Sequence, residues 1–169
     1  MRIVFDIETN GMRNQPHRWG KKWRENPPPI ADTLHCLCLT ESGSGVIEEY
    51  HDDPAIRRTG TVQAGLDRLS KATVLVGHNI IRYDLPVLKD LVGWEPSEGT
   101  IFNDTLVMSN LGYTSLWNKD ARIRGALPEG LFGSHSLRAW GYRIGRHKSA
   151  VNDTENFEVF DEEMLTYCA

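Results

Sequence analysis

The chain has 169 residues, 40% of them hydrophobic and 25% charged, with 15 Gly, 8 Pro, 3 Cys and a formal net charge of −4. A chain of this length hides roughly 70% of the surface it exposes when unfolded, so one domain can hold a core without disulfides or a structural metal, and a bridge-stapled mini-protein is excluded. No apolar run approaches the roughly 20 residues that cross a bilayer, so neither a membrane span nor a signal peptide is expected, and the acidic balance argues against a uniform basic field.

Residues 2–7 run apolar through Ile3, Val4, Phe5 and Ile7, which suits a strand buried in a sheet. Asn10-Gly11 breaks it, and Asn26-Pro27-Pro28-Pro29 is stiff and extended, so residues 10–32 form a loop excursion. A strand at 34–40, a turn at Gly43-Ser44-Gly45 and a strand at 46–50 make an antiparallel meander with the first. Val62, Leu66 and Leu69 recur at helical spacing within 61–72, ahead of a short apolar strand at 73–76; a helix between strands implies a crossover and a parallel neighbour. Asp84, as N-cap, and Pro86 then open a helix to about Leu91, followed by a strand at 100–102. Asp104 caps a helix over 105–111, and residues 112–133 are irregular. Ser134 caps a helix containing Leu137, Trp140 and Ile144, with Gly145 at its left-handed end, and a last short helix starts near Asp161. This order predicts an α/β domain, a mixed sheet with flanking helices.

Charge is unevenly spread. Between Met12 and Ile30, Arg13, Arg18, Lys21, Lys22 and Arg24 stand against Glu25 alone, while residues 153–163 hold six acids and no base. The three cysteines, Cys36, Cys38 and Cys168, have no Cys-x-x-Cys spacing and read as reduced thiols filling a core.

Asp6 and Glu8 are two apart on a strand, so both carboxylates point to one face. Like charges that close repel, and burial penalises each. The pair is tolerable with a hard divalent cation such as Mg²⁺ or Mn²⁺ between them, or at a strand end open to water. Asp84 follows the fourth strand and can reach the same strand-end cleft, or serve only as an N-cap; Asp104 reads as an N-cap. Tyr167, on the last helix, faces inward with Met164, where core packing is the ordinary role of a tyrosine.

The run Ile3-Val4-Phe5-Asp6-Ile7-Glu8-Thr9, the run His78-Asn79-x-x-x-Tyr83-Asp84 and the helix start Asp104-Thr105-Leu106 resemble the DEDD exonuclease superfamily. The stretch Gly133-Ser134-His135-Ser136-Leu137-x-x-Trp140-Gly141-Tyr142-Arg143-x-Gly145 resembles, more narrowly, the proofreading domain of phage-type family A DNA polymerases. The resemblance covers nearly all of the chain. It implies a ribonuclease H-like fold, two divalent cations (Mg²⁺ or Mn²⁺), and removal of nucleotides from DNA 3′ ends, single-stranded ends above all. It further implies a polymerase domain or partner chain, no membrane, and the cytoplasm of a bacterial or phage-infected cell. Carried over residue by residue, Asp6 bridges both metals, Glu8 binds the first, Asp84 holds the second, and Thr9 and Asn79 contact the terminal nucleotide. Tyr167 matches the tyrosine that orients the attacking water; since phenols ionise near pH ~10, its role is positioning rather than proton abstraction.

Two features depart from that pattern. The basic loop at 10–32 is long, and Trp19 and Trp23 are interleaved among its cations, a combination that can hold a frayed strand by stacking and phosphate contact or can simply be a surface excursion. The tyrosine subclass also carries an aspartate one turn after its tyrosine, which here falls at position 171, past Ala169. The expectation is therefore a single exonuclease-like domain, residues 1–169, as a fragment or split-gene subunit with impaired activity alone. A catalytically inert DNA-binding or polymerase-assembly module of the same fold is the alternative, and an RNA-directed exonuclease a third.

Overall fold

Alternation along the first strand sets the architecture. In the computed structural model, which describes residues 1–13, 27, 29–122, 125, 127–146 and 159–169, β1 (Arg2–Thr9) buries Ile3, Phe5 and Ile7 on one face and turns Val4, Asp6 and Glu8 to the other. It is the middle strand of a five-stranded sheet in the order β3-β2-β1-β4-β5. β2 (Leu34–Glu41) pairs antiparallel with β1 and with β3 (Glu48–Tyr50), giving the expected meander. β4 (Val74–Gly77) and β5 (Ile101–Asp104) run parallel to β1, as the intervening helices require. β3 is shorter than 46–50 because the Ser44 hydroxyl accepts from the Val46 amide, turning Val46 and Ile47 outward, 60% and 49% exposed.

Helices α1 (Val62–Leu69) and α2 (Asp84–Val92) cover the Ile3–Phe5–Ile7 face, where Leu37, Leu39, Leu66, Leu69, Leu75, Val87 and Leu88 complete the main core. α1 starts at Thr61, whose hydroxyl accepts from the Ala64 amide, and it seats closely because Gly65 has no side chain. A Cβ there would come within 2.7 Å of Leu37. The opposite face is covered beside β1 and β2 by α6 (Glu162–Cys168), through Leu165 and Cys168 against Cys36 and Cys38. α6 is capped by Asp161 as the sequence predicts, but Met164, Leu165 and Cys168 are its buried residues and Tyr167 is only half-buried.

Three further details differ from the sequence reading. The 112–133 stretch contains α4 (Leu116–Asp120) and a 3₁₀ turn at Glu129–Leu131, after α3 (Thr105–Gly112). α4 is anchored by Asp120, which accepts from Arg143 at 3.0 and 2.7 Å and from the Gly133 amide. Arg143 lies on α5 (Leu137–Ile144), and α5 is capped by Ser136 rather than Ser134, because the Ser134 hydroxyl is taken by the Ser136 amide and hydroxyl. Gly145 ends α5 at φ 66°, as predicted. Loop residues Arg18, Lys21, Lys22 and Arg24, with Trp19 and Trp23, lie outside the described residues. The loop's ends are tied by the Met12–Ile30 bridge, by Asn10 to Asp32 and Thr33, and by the Arg13–Asp90 ion pair.

Candidate active site

β1 runs past its parallel pairing with β4, which ends at Val4, so its two acids stand near its C-terminal end with β2 as their paired neighbour. Asp6 stands opposite Cys38 and Glu8 opposite Cys36 in the β1–β2 register, so all four side chains share one face. α6 closes over them. The Asp6 and Glu8 carboxylate oxygens and the Cys168 sulfur all lie within 4.8 Å of one another, and the Cys168 thiol donates to the Asp6 carbonyl at 3.5 Å.

Asp84 joins this group from α2. It is the first residue of the helix rather than its cap: Tyr83 holds the cap position, with no side-chain capping bond. The amides of Arg82 and Tyr83 instead close onto the Asn79 carbonyl, so the turn is satisfied by backbone and the Asp84 carboxyl is released from capping. That carboxyl is 2% exposed, and its Oδ1 has no protein partner. Burial, then the like charge of Asp6, pushes its pKa up to about 7, while the backbone of Asp84 and of Ile7 pulls the other way. The structure thus couples Asp84 to Asp6 electrostatically, across the strand end.

Asp104 has the opposite environment. It caps α3 and accepts from four amides, those of Asn79, Leu106 and Val107 on Oδ1 and that of Ile81 on Oδ2, so its charge is spent on the backbone, as the capping assignment predicts. One consequence is the placement of Asn79, held at φ 69°, the left-handed region that asparagine tolerates better than most residues. His78 lies beside it. Thr105 donates to the Gly77 carbonyl, so the His78 Nδ1 at 2.9 Å is the donor to the Thr105 hydroxyl, and burial lowers the His78 pKa.

Thr9 is buried, and its hydroxyl donates to the Gly11 carbonyl at 2.8 Å beside the Tyr83 hydroxyl at 2.9 Å. Its side chain therefore shapes the start of the loop. Burial raises the Tyr83 pKa, with Glu8, Asp84 and Asp6 adding to it, so a neutral phenol borders the acids. Tyr167 precedes Cys168 near the end of α6. The sequence reading missed Cys168 and its two partner thiols as neighbours of the acids. The available signal was the alternation Cys36-x-Cys38, which puts both on one face of β2, opposite an acid pair with the same spacing. A cleft of about 320 Å³, lined by Asp6, Cys38, Gly77, His78, Thr105 and Cys168 among others, opens beside the acids.

No protein-family model matches the chain. It is 36% identical over 129 residues to the DNA-directed DNA polymerase of Enterobacteria phage T3 and 35% identical over 129 residues to that of Escherichia phage T7. Each match covers 68% of this chain, and the chain spans 18% of those relatives' length. Among solved structures it resembles E. coli ExoI, in a zinc-bound complex with single-stranded DNA, with a TM-score of 0.51 and 15% identity, covering 99% of this chain and 38% of that one. The five-stranded mixed sheet with flanking helices is the ribonuclease H-like α/β architecture that the sequence implies.

Proposed function

We propose that this chain, a relative of phage DNA polymerases over two thirds of its length, is their metal-dependent 3′-5′ exonuclease domain and proofreads DNA 3′ ends. The observation that carries the reading is the convergence of Asp6, Glu8 and Asp84 at one strand end, with a buried Asp84 oxygen that no protein group satisfies. Three carboxylates in that position repel one another, and a pair of hard divalent cations relieves both the repulsion and the orphaned oxygen. Asp6 would bridge the pair, Glu8 would hold one cation and Asp84 the other; Mg²⁺ or Mn²⁺ fits these oxygen donors. When bound, such a pair activates water and neutralises charge on the leaving 3′ oxygen.

The chain's own residues supply the rest. Water adds to the terminal phosphorus, the bond to the 3′ oxygen of the preceding nucleotide breaks, and a nucleoside 5′-monophosphate leaves. Tyr167 orients the water from the end of α6. Asn79 and the Thr9 backbone border the terminal nucleotide, Asn79 being fixed there by Asp104. Single-stranded DNA ends fit a site at an open strand end. A polymerase region, in the same or a partner chain, and the cytoplasm of a bacterial or phage-infected cell complete the proposal. No described helix is long and apolar enough to cross a membrane.

The test follows release of a 3′-terminal label from a single strand with Mg²⁺ or Mn²⁺. The unsubstituted chain should release it, and Asp6→Ala should slow release by about 10³-fold or more, the size expected for losing a ligand shared by two metals. DNA binding without release in the unsubstituted chain would instead establish the inert module of the same fold.

A further inference from the structure

Beneath the carboxylates, between β2 and α6, three thiols converge. Cys36 and Cys38 are alternate residues of β2, and Cys168 arrives from the last turn of α6. All three are buried and unbridged, and their sulfurs lie within 4.8 Å of one another. In a tetrahedral thiolate site with metal–sulfur bonds of about 2.3 Å the sulfurs stand about 3.8 Å apart, so small side-chain rotations close this set. A single buried thiol is an ordinary small hydrophobe. Three of them meeting from elements far apart in sequence form a donor set.

A further nitrogen donor lies near this set, although only the three sulfurs stand within 4.8 Å of one another. His51 directly follows Tyr50, the last residue of β3, and Tyr50 pairs with Leu37, the residue between the two cysteines of β2. His51 is fully buried, its ring 5.0 Å from that of Phe160, which also packs on the thiols. Its Nε2 lies 3.1 Å from the Arg57 carbonyl. A carbonyl only accepts, so Nε2 carries the proton, and in the neutral ring Nδ1 keeps a lone pair. That Nδ1 is buried without a partner. A backbone carbonyl fixing one ring nitrogen and leaving the other as a bare lone pair is the usual support of a metal-binding histidine.

We propose that Cys36, Cys38 and Cys168 hold a soft divalent cation of the zinc class beside the carboxylate pair, pinning α6 to β2, with His51 as the fourth ligand once its ring turns toward the sulfurs. On binding, each S–H bond is replaced by a sulfur–metal bond, its proton passes to solvent, and no electron changes hands. The cleft lined by Cys38 and Cys168 provides the way in. Hard Mg²⁺ prefers the neighbouring oxygens, so donor softness sorts the two kinds of cation. The proposal does not depend on the exonuclease reading.

Titration of the reduced chain with Co²⁺, read by absorption and followed by Zn²⁺ competition, tests it. One equivalent should give thiolate-to-cobalt charge transfer and the intense visible bands of a tetrahedral ion, displaced by Zn²⁺. The bands should vanish in C36A/C38A, survive in D6N/E8Q, and weaken in His51→Ala with roughly 10–100-fold lower affinity. Absence of charge transfer in the unsubstituted chain overturns the proposal, as do bands that persist in C36A/C38A or disappear in D6N/E8Q. Far-UV circular dichroism without metal checks that each variant folds. Should C36A/C38A not fold, the charge-transfer intensity of the unsubstituted chain, which counts sulfurs, and the D6N/E8Q arm decide.

Discussion

A carboxyl group placed as Asp84 is, 2% exposed and with one oxygen unpartnered, must lose either its charge or its isolation. Without divalent cations it keeps its proton to about pH 7, because burial and then Asp6 oppose ionisation. The unfolded chain releases that proton near pH ~4. Between about pH 4 and pH 7 the folded state therefore binds more protons than the unfolded state, and stability falls as pH rises, by up to about 4 kcal/mol once both states are ionised. Urea midpoints across this range in chelator should show the decline, and Asp84→Asn should flatten it. An equally steep decline in the Asn variant would assign the slope to another group. Asp120 is the opposite case, since Arg143 holds its pKa down and the Asp120 and Arg143 side chains are 5% and 12% exposed. Asp120→Ala leaves the Arg143 charge buried and should cost about 3 to 5 kcal/mol in urea unfolding. A loss under about 1 kcal/mol would show that water reaches the pair.

Between elements, Asp104 ties the end of β5 to α3 and to the turn that carries Asn79. Asp104→Ala strips four amides of their acceptor and should destabilise by about 3 kcal/mol, more than a lone N-cap, which is worth about 1. Chemical denaturation distinguishes the two magnitudes. This capping role was legible in the sequence because a cap is a local signal: an acid, then a helical run. The strand carrying Asp6 and Glu8 was legible for the same reason, as was the crossover order of β4 and β5. Asp84 was legible as an acid at a helix start but not in its position there, since cap and first helical residue differ by one place and the choice was settled by the Asn79 carbonyl. Ser134 and Ser136 have the same chemistry two residues apart, and only the hydroxyl contact between them tells which is free to cap. α4 has five residues, too few to set up a period, and what holds it is an ion pair to an arginine over twenty residues later. The thiol cluster was illegible because two of its donors lie on one strand and the others arrive from just past β3 and from α6, a placement that exists only after the sheet has formed.

Across the whole molecule, β1 and β2 carry two donor sets of different chemistry side by side. Oxygen donors from β1 and α2 gather at the strand end, and sulfur donors from β2 and α6 gather beside them, with Cys168 within 4.8 Å of both carboxylates. Each set draws on elements distant in the chain, so a cation bound to either is bound to the folded state and must raise its melting temperature. A cation present at about 100 times its dissociation constant stabilises by about 2.7 kcal/mol, which for a domain of this size is roughly 5 to 10 °C. Mn²⁺ should therefore raise the melting temperature of the unsubstituted chain and of C36A/C38A, and leave D6N/E8Q unmoved. Zn²⁺ at low concentration should show the reverse pattern, with C36A/C38A unmoved. Both together should shift the unsubstituted chain by less than the sum of the separate shifts. The Cys168 sulfur lies within 4.8 Å of the Asp6 and Glu8 oxygens, and two positive ions held so near each other lower each other's affinity. Fully additive shifts would mean that the two sites are insulated from each other, and that α6 does not transmit the state of one to the other.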